Sequence, residues 1–239
     1  MSSNKDDING DDISFNNNNN IYINNIEHYN QYINIGTQNV KGFNKIEKRN
    51  YFFTIYNNDF NLDIIGLTET KLKKTEDKFM SLPNKLDDKI YFERYQTWWS
   101  GSNDHFMGAG VGLAISKVLA KHVINIEKIE GRAIKADLQF KRKTKLSIIV
   151  VYIHASEEDA EARTILVKKI QLWIDKEIRQ NSHVIIMGDF NADPDIFEEK
   201  FKFQQRKIKA KYHIIQMLKN KNLLDLHKVV SISNIPAKI

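Results

Sequence analysis

The chain has 239 residues, 41% of them hydrophobic, which suits one large domain, or one domain and a tail, with a sizeable core. Its 36 Lys and Arg outnumber 30 Asp and Glu, for a formal charge of +6, an excess that permits a polyanionic partner without requiring one. Cysteine is absent, which excludes disulfides, zinc–thiolate centres and thiol catalysis, and no apolar run nears the roughly 20 residues that span a bilayer.

Residues 1–31 stand apart. Asn16–Asn20 is an unbroken asparagine run, and Asn and Asp dominate around it. With so little apolar surface to offset the entropy of ordering, the segment is expected to be a disordered tail ahead of a domain spanning 32–239. The opening MSSNKDDINGDD is acidic and lacks the basic-then-apolar order of a signal peptide, so neither secretion nor a membrane anchor is expected. No internal repeat of fixed period is evident.

The first predicted strand is Ile33–Val40, where Ile33, Ile35 and Thr37 alternate with Asn34, Gly36 and Gln38, and it delivers Asn39 at its end. Asn44 then caps a helix to about Asn57 with Phe52, Phe53 and Tyr56 on one face. A second strand, Leu62–Leu67, is followed at once by Glu69. An isolated acid there would read as a solvated loop residue. Residues 71–89 are polar and irregular. Ile90–Trp99 is dense in aromatics (Tyr91, Phe92, Tyr95, Trp98, Trp99), which read as core or sheet-face packing rather than as base-stacking groups. The Gly-rich stretch 101–112 lacks the Lys-Ser/Thr of a phosphate loop, and His105 within it reads as a surface or packed histidine. Val111–Ile115 follows as a strand.

His122–Glu130 and Gly131–Phe140 read as an antiparallel pair turning near Gly131-Arg132. Leu146–Ile153 is the most β-prone run and places Tyr152 at its end, either as core or with its hydroxyl aimed into a site. Ser156 then caps a helix to about Arg179 with Leu166, Ile170, Trp173, Ile174 and Ile178 as its buried stripe. The chain returns through Val184–Met187, predicted as a strand buried on both faces. Gly188 ends it, and Asp189 and Asn191 lie two apart beyond. That pair, a charge and an amide, suits a hard cation and a phosphate better than a covalent nucleophile. A turn at Asp193–Asp195 and a basic amphipathic helix over Phe203–Asn220 complete the reading, with Lys207–Lys211 as a solvated helix face.

Asn39, Glu69, Tyr152, Asp189 and Asn191 thus fall at or just past the ends of four predicted strands, two of which supply an acid. The set offers metal-ligand carboxylates, a hydroxyl donor and two amides, which suits metal-assisted phosphodiester hydrolysis. The pieces TQNVKGFN (37–44), LDIIGLTETKL (62–72), GAGVGLAI (108–115), GRAIKADLQF (131–140), VVYIHAS (150–156) and IIMGDFNAD (185–193) resemble, in order and spacing over roughly 32–230, the endonuclease/exonuclease/phosphatase family. They look most like its retrotransposon-type branch.

The resemblance implies an α/β fold, a two-sheet α/β sandwich flanked by helices. It implies that Glu69 binds a divalent ion, Mg²⁺ or Mn²⁺, with Asp189 and Asn191 as further metal-site groups positioning the attacking water and the phosphate. Asn39 would support the metal shell and Tyr152 would donate to the phosphate as charge develops. Lys41 stands where some DNA-repair members carry an acid, and His154 where a proline is common. Arg163 is the one nearby candidate for an arginine that often follows the tyrosine. Nothing after Leu226 matches the family's closing Arg-Ile-Asp-type strand or Ser-Asp-His triplet, so the domain is expected to lack the last strands, as in a truncated copy.

The function expected is DNA nicking of retroelement type, by a monomer with nucleic acid as partner and no membrane. Such a nuclease would act in the nucleus, although no localisation signal is evident. The alternatives are an inactive domain that only binds nucleic acid, or a phosphatase of the same family.

Overall fold

The computed structural model describes residues 13–15, 20–23, 31–58, 60–74, 94–102, 109–201 and 208–226. They divide into a main unit, 35–224, and a second unit made of 1–34 with 225–239. In the second unit, strands β1 (Ile13–Phe15) and β2 (Asn20–Ile23) pair antiparallel, and β2 pairs antiparallel with the first residues of β3 (Gln31–Asn39). Two short pieces of the asparagine-rich segment are therefore strand, at the positions where β-branched and aromatic residues interrupt the asparagines.

In the main unit, Ile35–Asn39 of β3 pairs parallel with β4 (Ile64–Thr68). Strands β5 (Tyr95–Ser100) and β6 (Val111–Ser116) extend this sheet antiparallel, in the order β3-β4-β6-β5. The other sheet has the order β10-β9-β8-β7, built from β7 (Val123–Ile129), β8 (Ala133–Gln139), β9 (Lys145–Tyr152) and β10 (His183–Asp189). Only the β9–β10 pair is parallel. The two sheets face each other, with Gly66 of β4 against Met187 and Val150 of the opposing sheet. This is the expected two-sheet sandwich.

Helices cover the outer faces. Helix α1 (Ile46–Asn58) packs Phe52 and Phe53 with Phe43, Tyr95 and Trp99 over the first sheet. Tyr95 and Trp99 are thus core residues, as read from sequence, while Tyr91, Phe92 and His105 lie outside the described residues. Helix α2 (Ala160–Arg179) covers the second sheet, packing Leu166, Val167, Ile170 and Ile174 on Ile149 and Val151. Ser156 caps its entry, accepting from the Glu158 N–H at 3.2 Å. Helices α3 (Pro194–Phe201) and α4 (His213–Asn220) join the same cluster through Phe197, Ile214, Ile215 and Met217. Among the described residues no helix is long and apolar enough to cross a membrane.

Four expectations change. Ile178 is 43% exposed and its place on the buried stripe is taken by Glu177 at 3%, which reaches a buried lysine, Lys135. The Asp193–Asp195 turn is the start of a helix, with Asp193 Oδ1 accepting the N–H groups of Asp195 and Ile196 and Pro194 in the first turn. The first part of the helix predicted over Phe203–Asn220, residues 203–207, lies outside the described residues; in the rest, Lys209 is extended, a 3₁₀ turn covers Ala210–Tyr212, and α4 begins at His213. Finally, β10 is not buried on both faces. Among the described residues it pairs with β9 alone, and Val184, Ile185 and Ile186 are only partly buried while Met187 is buried.

Candidate active site

Strands β3 and β4 run parallel in one sheet, and β9 and β10 run parallel in the other, so four carboxyl-terminal strand ends can deliver polar groups to one end of the sandwich. They deliver Asn39, Glu69, Tyr152 and Asp189. The Asn39 side-chain oxygen accepts the Lys41 N–H at 3.1 Å, which turns its NH₂ toward the acids. That one nitrogen donates to Glu69 Oε1 at 2.8 Å and to Asp189 Oδ2 at 3.4 Å. The Tyr152 hydroxyl donates to the same Glu69 oxygen at 3.3 Å. Asn191 joins through Asp189, whose Oδ1 accepts its N–H at 3.0 Å. Its side-chain NH₂ is spent on the Ile153 carbonyl at 2.7 Å, leaving its oxygen as the atom to offer a ligand. All five residues singled out from sequence are brought together.

The backbone that holds them is strained in places. Lys41, Glu69 and Asn191 have φ of 48°, 54° and 46°. Asn tolerates this left-handed region, but for other side chains such conformations cost about 1–3 kcal/mol and persist only where the surroundings fix them. Here the Glu69 carbonyl accepts the Gly42 N–H at 2.7 Å, and the Asp189 carbonyl accepts the Ile153 N–H at 2.9 Å. Gly188 has φ 127°, and a Cβ there would lie 2.1 Å from the Val151 carbonyl oxygen, so only glycine lets β10 approach β9 and release Asp189.

Two carboxylates converge on one neutral amide, and among the described residues neither forms an ion pair. Burial, and then the Glu69 carboxylate, push the Tyr152 hydroxyl above the ordinary phenol value, so it stays a donor. The Arg132 guanidinium lies 5.2 Å from the centre of the Tyr152 ring, bringing a cation to the rim of the site. Burial and then Arg132 lower His154, whose Nδ1 is buried without a partner. Arg163 is 2% exposed and donates to the His154 and Ser156 carbonyls, so it braces the loop after β9. Arg132 was read from sequence only as a turn residue; a cation directly after a turn glycine, next to the strand that ends in Tyr152, was the available signal.

A cavity of about 650 Å³ opens beside Asn39, Asp189 and Asn191 and continues to Phe190, Lys211 and Tyr212. The donor set fits a hard divalent cation. Mg²⁺ is held by one or two carboxylates and keeps several waters, whereas an all-protein cage needs more ligands. Glu69, Asp189 and the Asn191 oxygen match the first pattern, and among the described residues no cluster of three or more His, Cys, Asp or Glu offers the second.

Residues 36–198 match the profile of the Endonuclease/Exonuclease/phosphatase family. A search of curated proteins by sequence finds no match. Solved structures of similar fold include the human nocturnin catalytic domain with bound sulfate (TM-score 0.51, 16% identity, 68% of this chain and 66% of that one). They also include an AP endonuclease from Archaeoglobus fulgidus (TM-score 0.50, 16% identity, 79% and 70%). A third is the AP endonuclease from Leishmania major (TM-score 0.51, 14% identity, 78% and 66%). This chain spans 66% to 70% of the length of these three chains.

Proposed function

Because the chain belongs to the endonuclease/exonuclease/phosphatase family, we propose that it is a metal-dependent phosphodiesterase that nicks DNA, of retroelement type. One observation carries the reading: a single amide nitrogen, on Asn39, donates to carboxylates from both sheets, Glu69 and Asp189, neither of which is ion-paired among the described residues.

Glu69, Asp189 and the Asn191 oxygen are the groups that would hold Mg²⁺, or Mn²⁺ in its place. When bound, the ion supplies positive charge to the phosphate oxygens. The chain's own groups do the rest. Asp189 and Asn191 position the attacking water. Its oxygen bonds to phosphorus as the bond from phosphorus to the leaving ester oxygen breaks, and the proton that the water sheds to solvent is balanced by one that the leaving oxygen takes up from solvent. The Tyr152 hydroxyl donates to the oxygen where charge accumulates, and Asn39 holds both acids in place through that change. Asn191 orients Asp189 through its backbone N–H. The retroelement assignment rests on the likeness of the six segments between residues 37 and 193 to that branch of the family.

The test is conversion of supercoiled plasmid to nicked circles in Mg²⁺, with EDTA, Glu69→Ala and Asp189→Ala alongside. Nicking that needs the metal and disappears in both variants is the expected result. Folded protein that retards DNA in a salt-dependent manner but nicks no faster than Asp189→Ala would favour an inactive, nucleic-acid-binding domain instead.

A further inference from the structure

The site cavity as a whole is larger than a single phosphate requires, and its far end is differently built. A volume of about 650 Å³ lies in the range of pockets that take whole small molecules. Neither Glu69 nor Tyr152 lines it. Past Asp189 its walls become Phe190, Ile196 and Tyr212, with Lys211 as the lining cation among the described residues.

Lys211 is not the freely solvated lysine that its sequence neighbourhood suggests. It is half-buried, and its Nζ lies 5.0 Å from the centre of the Tyr212 ring. That ring is fixed, being 2% exposed and 5.8 Å from Phe197. Among the described residues Lys211 has no carboxylate within ion-pair distance. The acid nearest in the lining sequence, Asp193, turns one oxygen onto two backbone N–H groups of α3. A positioned, unpaired ammonium in a cavity that begins at a phosphodiester site calls for a second anion.

We propose that this end is a nucleotide subsite: Lys211 holds the phosphate next to the scissile one, and Phe190 and Ile196 flank the nucleoside between the two. The inference rests on the phosphodiesterase reading and narrows it. The substrate is a DNA strand carrying successive phosphates, with at least one base free to leave its stack beside the cut. A small phosphoester has nothing for Lys211 to hold.

The test is binding of a short fluorescein-labelled single-stranded DNA to the full chain, followed by anisotropy in EDTA over a range of salt. Wild type, Lys211→Gln, Lys211→Arg and the exposed control Lys169→Gln are compared. Lys211→Gln is expected to weaken binding about tenfold at low salt and to reduce the slope of log affinity against log salt by about 0.7, the loss of one phosphate contact on a single strand. Lys211→Arg retains the wild-type slope, and Lys169→Gln shifts neither quantity. Equal shifts in Lys211→Gln and Lys169→Gln, or none in either, would overturn the subsite while leaving plasmid nicking untouched. The expected shifts in a protein that nicks nothing would support the subsite and refute the hydrolase. Absence of DNA binding by the wild type would overturn the subsite outright.

Discussion

Removing the ammonium of Lys135 should be among the most destabilising single changes in the molecule. Lys135 lies mid-strand in β8, 0% exposed under helix α2, with Glu177 at 2.7 Å, Glu127 at 2.9 Å and Asp137 at 3.0 Å. Its three protons meet three carboxylates, and the Trp173 ring closes the site 6.0 Å away. Burial alone would lower the Lys135 ammonium, but the hydrogen bonds it donates to Glu177, Glu127 and Asp137 raise it above its ordinary value. In Lys135→Met the volume is roughly kept while Glu177 is left buried without its partner. Breaking a buried pair in this way costs about 3–5 kcal/mol, because the surviving charge is uncompensated. Against a total stability of about 5–15 kcal/mol, that is a large share. At about 2–4 °C per kcal/mol for a domain of this size, the melting temperature should fall by about 6–20 °C.

The assay is urea unfolding at several pH values, followed by near-ultraviolet circular dichroism. Burial would raise the Glu127 carboxyl, but hydrogen bonds from Lys135 and Lys176 hold it at about 2, below its ordinary 4.5. A lowered carboxyl contributes stability that is present above its unfolded value and lost as pH falls through the folded one. The part of the difference that Glu127 carries should therefore be full above pH 4.5 and shrink as pH falls from 4.5 toward 2. Adding Glu177→Leu to Lys135→Met should recover part of the loss, since packed apolar residues often replace a buried pair without penalty. A loss below about 1 kcal/mol for Lys135→Met, the range of exposed pairs, would refute the reasoning.

Two further changes bear on the site. Gly188→Ala forces a Cβ toward the Val151 carbonyl oxygen at a φ that L side chains rarely adopt, so it should cost at least about 1–3 kcal/mol by thermal melting and depress plasmid nicking more than stability. In the proposed reaction, Tyr152→Phe removes one donor to the charge that develops on phosphate. It should lower kcat by about 10²–10³ in single-turnover nicking while leaving the fold intact by circular dichroism, and an unchanged kcat would take Tyr152 out of the chemistry.

Much of the sandwich could be read from the sequence because its strands carry their own signals. The apolar runs at 62–67 and 146–153 correspond to β4 and β9 within two residues, since a strand under cover on both faces needs no partner information to look apolar. The strand-end polar residues were legible for the same reason: a run that stops at an acid marks a sheet edge and a loop at once. What stayed hidden depended on distant packing. Alternation alone puts Lys135 on the face opposite Ile134 and Ala136, which reads as solvent, but that face lies under α2 and receives Glu177 from 42 residues away. The partial exposure of β10 was equally invisible, because four apolar residues look the same beside one neighbour or two. Lys211 sat in a basic run, and only the extended backbone at Lys209 and the turn after it separate it from a solvated helix face.

The hydrogen bonds of the site differ in what they span. Asn39 to Glu69, at 2.8 Å, joins neighbouring strands of one sheet, whereas Asn39 to Asp189 at 3.4 Å and Tyr152 to Glu69 at 3.3 Å bridge the gap between the two layers. The long bonds are the interlayer ones, so the site measures the spacing of the sandwich. A Cβ on Gly66 would lie 3.0 Å from the Met187 side chain and 3.2 Å from that of Val150. One missing methyl group in the core thereby acts as a shim. A residue with no side chain thus helps set how closely the two sheets, and the groups of the candidate site they carry, can meet.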